Sequence, residues 1–448
     1  MRKSEWIGML LSCGLAMAGC GGDDGCTGAS CNAAGHGGAG RGGGGAGGMG
    51  GAGNGGAGNG GTGGAGNGGA GNGGAGGAGN GGAGGTGGMR GAESVGAWHP
   101  IASAGSPSAR AGATAVWTGS EMLVWGGVTM GSGSALTDLA DGARYSPSAD
   151  SWRPMSVVDA PKARRGGVVG MVGGELVVWG GFDGARPPTL FADGARYDVA
   201  TDRWRPIAAR PSAGIPLCSV TTPTRILSWG GIAPATRAAD TDVFEYEPAA
   251  DRWTRLASKS PPAPRLTSCV FTGRDLVFVG GFDFSTRGGR LLADGARFDP
   301  STHAWTALPP TGLGARVDAR LVWTGRALYL LGGMSMAGPV ADGAVWDPFT
   351  DQWTHMAPLP HVGFASLAVW TGRGLLAYSF IAGGEYDASG ALYDPATNQW
   401  HPMQMEGAPS MRAGSALAWS GEELFVWGGG TGGATLDSVL GDGARFHP

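Results

Sequence analysis

The chain has 448 residues, 93 of them glycine and only 15% charged, with 31 Lys+Arg against 35 Asp+Glu for a net charge of −4. Glycine is uneven: 36 of the 93 lie in residues 35–91, which excludes one uniform globular domain, whereas Gly96 to Pro448 is far poorer in glycine and has enough apolar residues for a large core. That stretch carries no Lys/Arg run able to neutralise a phosphate backbone, which excludes nucleic acid from the expected partners.

Arg2 and Lys3 precede the apolar stretch Trp6–Ala18, which suits the apolar region of a signal peptide and is too short to span a bilayer. Leu15-Ala16-Met17-Ala18-Gly19-Cys20 resembles a bacterial lipobox, with Met17 where Leu, Val or Ile is usual. The resemblance implies removal of residues 1–19 and acylation of Cys20. Gly21 after the cysteine, in place of an Asp retention signal, implies an outer-membrane or surface lipoprotein of the bacterial envelope. The alternative is an ordinary secretory peptide with Cys20 a free or disulfide-bonded thiol. No internal segment is apolar and long enough to cross a membrane, so a lipid would be the only membrane contact. Cys26, Cys31, Cys218 and Cys269 remain, an even number suited to an oxidising compartment, and Cys26 and Cys31 could close a small loop behind the anchor. Residues 20–96 then read as a disordered tether, because the Ala-Gly-Asn-Gly-Gly units of 35–91 bury almost nothing and lose maximal backbone entropy on ordering.

From residue 97 onward the chain repeats itself about every 50 residues. An apolar strand ending in a diglycine recurs as Leu123-Val-Trp-Gly-Gly127, Leu176-Val-Val-Trp-Gly-Gly181, Ile226-Leu-Ser-Trp-Gly-Gly231, Leu276-Val-Phe-Val-Gly-Gly281, Leu328-Tyr-Leu-Leu-Gly-Gly333 and Leu424-Phe-Val-Trp-Gly-Gly429. A degenerate copy has Ser379-Phe380 in the diglycine place. Each copy continues with a strand such as Asp141-Gly-Ala-Arg-Tyr145, a short turn, and a strand opened by Trp152, Trp204, Trp253, Trp305, Trp353 or Trp400. Alternating apolar residues, closely spaced turn signals and no long 3.6-residue period predict an all-β fold.

These repeats resemble the Kelch family, whose copies combine a hydrophobic strand, a diglycine and a spaced Tyr and Trp in one four-stranded propeller blade. The resemblance spans residues 97–448 and implies a seven-bladed β-propeller with blades at 110–155, 164–207, 214–256, 265–308, 316–356, 364–403 and 412–448. A Trp strand occurs first at Trp98-His-Pro-Ile101, before any diglycine, and the last repeat stops without one. The N-terminal strand is therefore expected to close the ring as the outermost strand of blade 7, which hides the sheet edges.

Asp141 and its copies, recurring blade by blade, are expected to hydrogen-bond structurally, and the repeated Tyr and Trp to fill the core. Recognition is expected where the repeats differ: the segments after the diglycines (Val128 to Ala140, Phe182 to Ala192, Ile232 to Thr241, Phe282 to Ala293) and the inter-blade loops, which share one face in the family. Sixteen residues before each diglycine position stand Arg110, Arg164, Arg316 and Arg412, with Arg265 displaced by one. In the family this position points toward the central cavity, so the five arginines are the candidate ligand-binding set, suited to carboxylates. The competing reading has each Arg bonding loop carbonyls or a neighbouring carboxylate. Cys218 and Cys269 fall on opposite faces of the innermost strands of blades 3 and 4, and either meet as a disulfide or stay separate buried thiols.

No catalytic residue, metal site or cofactor is expected. A copper oxidase of the galactose oxidase type needs histidines that this chain does not bring together, since His99, His355 and His401 directly follow repeat tryptophans. The enzymatic alternative is a carbohydrate-active protein resembling the sialic-acid mutarotases, with Asp183, Asp283 or Glu385 as candidate acids. The expected function is a non-catalytic module binding a protein or glycan through the loop face.

Overall fold

The computed structural model describes residues 95–448 apart from 132–134, 186–187, 212–215, 233–238, 286–288, 362–363, 383–384 and 432–435. The signal segment 1–19, Cys20, the tether to residue 94, Cys26 and Cys31 lie outside the described residues.

Seven four-stranded antiparallel sheets make up the domain, and no helix occurs among the described residues. From inside outward, blade 1 runs Thr114–Trp117, Met122–Trp125, Gly142–Ser146 and Ser151–Pro154. Blades 2 to 6 repeat this order, starting from innermost strands Val168–Val172, Cys218–Thr221, Cys269–Phe271, Arg320–Trp323 and Phe364–Trp370. Blade 7 takes Ala416–Trp419, Leu424–Trp427 and Gly443–His447 from the C-terminus and its fourth strand, Ala97–Pro100, from the other end of the domain. Trp98 lies opposite Phe446 and Pro100 opposite Ala444, so the ring closes as the repeat count predicts.

The second strands are apolar on both faces, apart from positions such as the buried Ser228 of blade 3, because each blade is sandwiched between two others. All four residues of Met122–Trp125, Leu276–Val279, Leu328–Leu331 and Leu424–Trp427 are buried. The core is accordingly a set of shared inter-blade layers. Met122, Val124, Tyr145 and Trp152 of blade 1 pack with Ala416, Phe425 and Trp427 of blade 7, while Leu123 and Trp125 pack with Leu176, Val178, Tyr197 and Trp204 of blade 2. A fully buried side chain of this kind contributes about 1.5–3 kcal/mol.

The polar ends of the aromatic residues are satisfied across the same boundaries. Indole Nε1 of Trp152, Trp204 and Trp253 donates to the carbonyl of Ala102, Ser156 and Ala208 in the segment that enters from the preceding blade. Tyr145 and Tyr246 donate to Asp150 and Asp251 at 2.6 and 2.8 Å, and those aspartates also accept the Ala102 and Ala208 N–H. Blade 4 has Phe298, which lacks the hydroxyl, and His303 in the aspartate place, so the two positions change together.

The second glycine of the diglycine is demanded by close approach. Gly127 has φ 89°, and a Cβ there would lie 2.7 Å from the Ala111 carbonyl; at Gly181 the Arg165 carbonyl would be 2.4 Å away. The chain must pass there because the residue after the diglycine bridges back to the entry of the innermost strand: Ala111 to Val128, Val317 to Met334 and Ala413 to Gly430.

The segments after the diglycines, expected as loops, are short ribbons instead. Val128–Met130 pairs with Leu136–Asp138, Phe282–Asp283 with Arg290–Leu291, and Gly430–Thr431 with Ser438–Val439. In blades 3 and 6 the same hairpin is continuous with the blade, as Ile226–Ile232 against Ala239–Glu247 and Leu375–Ala382 against Glu385–Asp394. The pairing in every case satisfies backbone groups that a loop leaves to solvent.

Cys218 and Cys269 are joined by a disulfide, with Cα atoms 5.9 Å apart, which ties the innermost strands of blades 3 and 4.

Candidate functional site

Inter-blade loops and post-diglycine ribbons lie on one face, since each bridge from ribbon to strand entry places both there. The arginines enter the blades directly beneath this face, and their surroundings decide what they do.

Arg110 is fully buried, and its donors are spent inside the blade. Nε donates to Ser108 O at 2.9 Å, Nη1 to Gly126 O at 3.0 Å and Asp141 O at 3.1 Å, and Nη2 to Ser108 Oγ and Asp141 Oδ2. Arg412 repeats the pattern on Ser410, Gly428 and Asp442, Arg164 on Lys162, Gly180 and Asp193, and Arg316 on Gly314, Gly332 and Asp342. Arg265 grips both carboxylate oxygens of Asp294. The ligand-binding assignment of Arg110, Arg164, Arg265, Arg316 and Arg412 is therefore corrected. Each is a clamp that ties the strand entry to the start of the third strand, Arg110, Arg164, Arg316 and Arg412 also holding the diglycine carbonyl, and none is more than 4% exposed. Bonding to Arg316 and Arg412 holds the Asp342 and Asp442 carboxyls below their usual range, against the raising effect of partial burial.

Blade 3 has its own version, outside the sixteen-residue count. Arg210 donates through Nη1 to Gly230 O at 2.7 Å and Ser228 Oγ at 2.9 Å, with its guanidinium 4.6 Å from the Phe244 ring centre. Burial pushes its pKa down to about 10, which leaves it cationic at neutral pH. Its backbone N–H bonds Ala192 O, one residue before Asp193, whereas those of Arg110 and Arg316 bond Leu440 O and Leu292 O, two residues before Asp442 and Asp294, so Arg210 reaches its diglycine carbonyl from an entry shifted by one residue. Leu359, whose N–H bonds Ala341 O, fills that entry position in blade 6, where the matching aspartate has become Ser389. Clamp and carboxylate are lost together there.

The departure that no repeat role explains is Asp318. Two residues after the clamp arginine, blades 1, 2 and 7 carry Gly112, Gly166 and Gly414, with φ of 65°, 58° and 61°. Blade 5 carries Asp318 there at φ 59°, a conformation that disfavours a side chain. Asp318 is 8% exposed, and among the described residues no donor bonds its carboxylate. Burial pushes its carboxyl up to about 6, with Arg320 pulling the other way. The neighbouring Arg320 donates Nε to Ala365 O of blade 6 at 2.6 Å.

The candidate acids for sugar chemistry serve their own loops. Asp183 accepts Ala185 and Thr189 N–H within one hairpin, and Asp283, 1% exposed, accepts from Ser285 and Arg290. Glu385 pairs through its backbone with Ala382. His99, His355 and His401 stand on the outermost strands of blades 7, 5 and 6, apart from one another.

Exposed large apolar side chains concentrate on the loop face. Leu136 and Met336 project from ribbons and Val157, Val158 and Met411 from inter-blade loops, at 41 to 73% exposure; Phe349, in a turn between third and fourth strands, is the exception among the described residues.

Comparison with protein families gives two matches. Residues 216–429 match the KLHDC2/KLHL20/DRC7 Kelch-repeats domain, and residues 163–210 match the Kelch motif, which together span blade 2 and blade 3 through the diglycine of blade 7.

Proposed function

The chain belongs to the Kelch-repeat propeller family, and we propose that it is a non-catalytic module whose loop face binds a protein partner at a bacterial cell envelope. The observation that carries this reading is the set Leu136, Val157, Val158, Met336 and Met411, apolar side chains held out from ribbons and loops over a rigid scaffold. Aliphatic and thioether surface of this kind fits a protein partner better than a glycan, whose sugar rings stack on aromatic faces. Among the described residues no large exposed aromatic stands on this face.

Envelope display is supported by the lipobox-like run ending at Cys20 and by the Gly/Ala/Asn composition of residues 35–91, suited to a tether. The Cys218–Cys269 bond points the same way, because such bonds persist in oxidising compartments.

The test is capture from envelope extracts on the full chain. The triple change Leu136→Glu, Met336→Glu, Met411→Glu is expected to reduce recovery of the captured protein at least about tenfold, the loss of roughly 1.4 kcal/mol, while Phe349→Glu leaves it unchanged. Equal recovery by the triple variant, or loss with Phe349→Glu alone, would place binding elsewhere.

A further inference from the structure

Four carboxylate side chains are buried among the described residues, and three have an arginine partner: Glu121 with Arg144 and Arg153, Asp275 with Arg274, and Asp283 with Arg290. Asp318 makes no such ion pair and accepts no hydrogen bond among the described residues, although it is more than nine-tenths buried. A carboxylate withdrawn from water without a donor is costly, and here it also occupies a left-handed position that three sister blades give to glycine. Neither cost serves the blade: the clamp of Arg316 on Gly332 and Asp342 is complete without it, and blades 1 and 7 build the same entry with no side chain at all.

The space at this register differs between blades: an added Cβ at Gly112 would meet nothing within 4 Å, whereas at Gly166 it would meet the Phe182 ring at 3.0 Å and at Gly414 the Gly112 nitrogen at 3.1 Å. Arg316, two residues before it, is bonded to Gly332 and Asp342, and Arg320, two residues after it, directs its Nε to the Ala365 carbonyl of the next blade. We infer that Asp318 is the anchor of a binding site at the inner rim of blade 5, and that its ligand is a protonated amine or guanidinium, as on a lysine or arginine side chain of the loop-face partner. Such a group brings N–H donors and the compensating charge in one slender chain, which the remaining 8% exposure admits. A metal ion is a poorer match, because among the described residues no three His, Cys, Asp or Glu side chains gather to hold one.

This inference rests on the partner-binding reading for its physiological ligand, yet its test does not need the partner. n-Butylammonium serves as the probe, with tetramethylammonium, which has no N–H donor, as the control at equal ionic strength. Melting of the full chain is expected to rise with n-butylammonium for the parent and not for D318G or D318N, and tetramethylammonium is expected to separate none of the three. D318G, which restores the glycine of the sister blades, is expected to melt a few degrees above the parent. An equal response of parent and variants, or none, would overturn the site. So would D318G melting below the parent, since Asp318 would then be kept for the fold. The loop-face substitutions act at other residues, so loss of the partner there alongside failure here discards this site alone. The converse pair of outcomes keeps the rim site and discards the partner.

Discussion

Deleting Ala97 to Ala102 is expected to unfold the propeller, with loss of the cooperative melting transition and aggregation of the product. Trp98 is 7% exposed and packs against Tyr378 and Phe446 at ring-centre distances of 5.4 and 5.1 Å, and its indole N–H bonds Gln404 O at 2.8 Å. Removing one such side chain costs about 3–5 kcal/mol. The deletion also strips the backbone partners of Gly443–His447, exposes Phe446, and takes away Ala102, which bonds Asp150 and Trp152 of blade 1. The summed loss reaches the whole stability of an ordinary domain, about 5–15 kcal/mol. The bare third strand is then an unpaired edge open to other chains. Thermal unfolding followed by near-ultraviolet circular dichroism checks this, and a deletion that melts like the parent would refute ring closure by this strand.

Arg110→Ala is expected to destabilise the domain by about 3 kcal/mol, lowering Tm by about 4 °C at the usual unfolding entropy per residue. The cost comes mainly from the carbonyls of Ser108, Gly126 and Asp141, which lose a buried donor, because Asp141 is itself half-exposed and can be rehydrated. Arg110→Lys should recover little, since three donors on a flexible stem cannot reproduce the planar fork. Asp141→Ala should cost less than Arg110→Ala, because it leaves the arginine its three carbonyl acceptors. Calorimetry of the three variants checks the order. An unchanged Tm for Arg110→Ala would return this arginine to the ligand-binding role that its burial now denies it.

Blade number, strand order and closure were legible in the sequence because self-similarity every 50 residues or so reports the architecture many times over. The arginines were found by the same counting and given the wrong task. Strand entry at Ala111 folds back under the ribbon that starts at Val128, and this buries Arg110 instead of presenting it to the cavity. A signal for the clamp was present: blades 1, 2, 4, 5 and 7 carry both the arginine and its aspartate, and blade 6 lacks both. Arg210 was missed because blade 3 places extra residues between clamp and strand, which shifts its distance from Gly230 to twenty. Asp318 was readable only against Gly112, Gly166 and Gly414, a comparison that needs the positive φ to give it meaning. The exposed apolar set carried no periodic mark at all. Its members come from segments of different length, and only the fold gathers them on one face.

The measurement that bears most directly on the role of that face is hydrogen exchange of the full chain with and without its captured partner. Protection is expected in the ribbons and inter-blade loops that carry Leu136, Val157, Met336 and Met411, with exchange unchanged in the turns holding Asp150 and Phe349 on the other strand ends. Protection confined to those turns, or to none of the loop-face segments, would contradict the account.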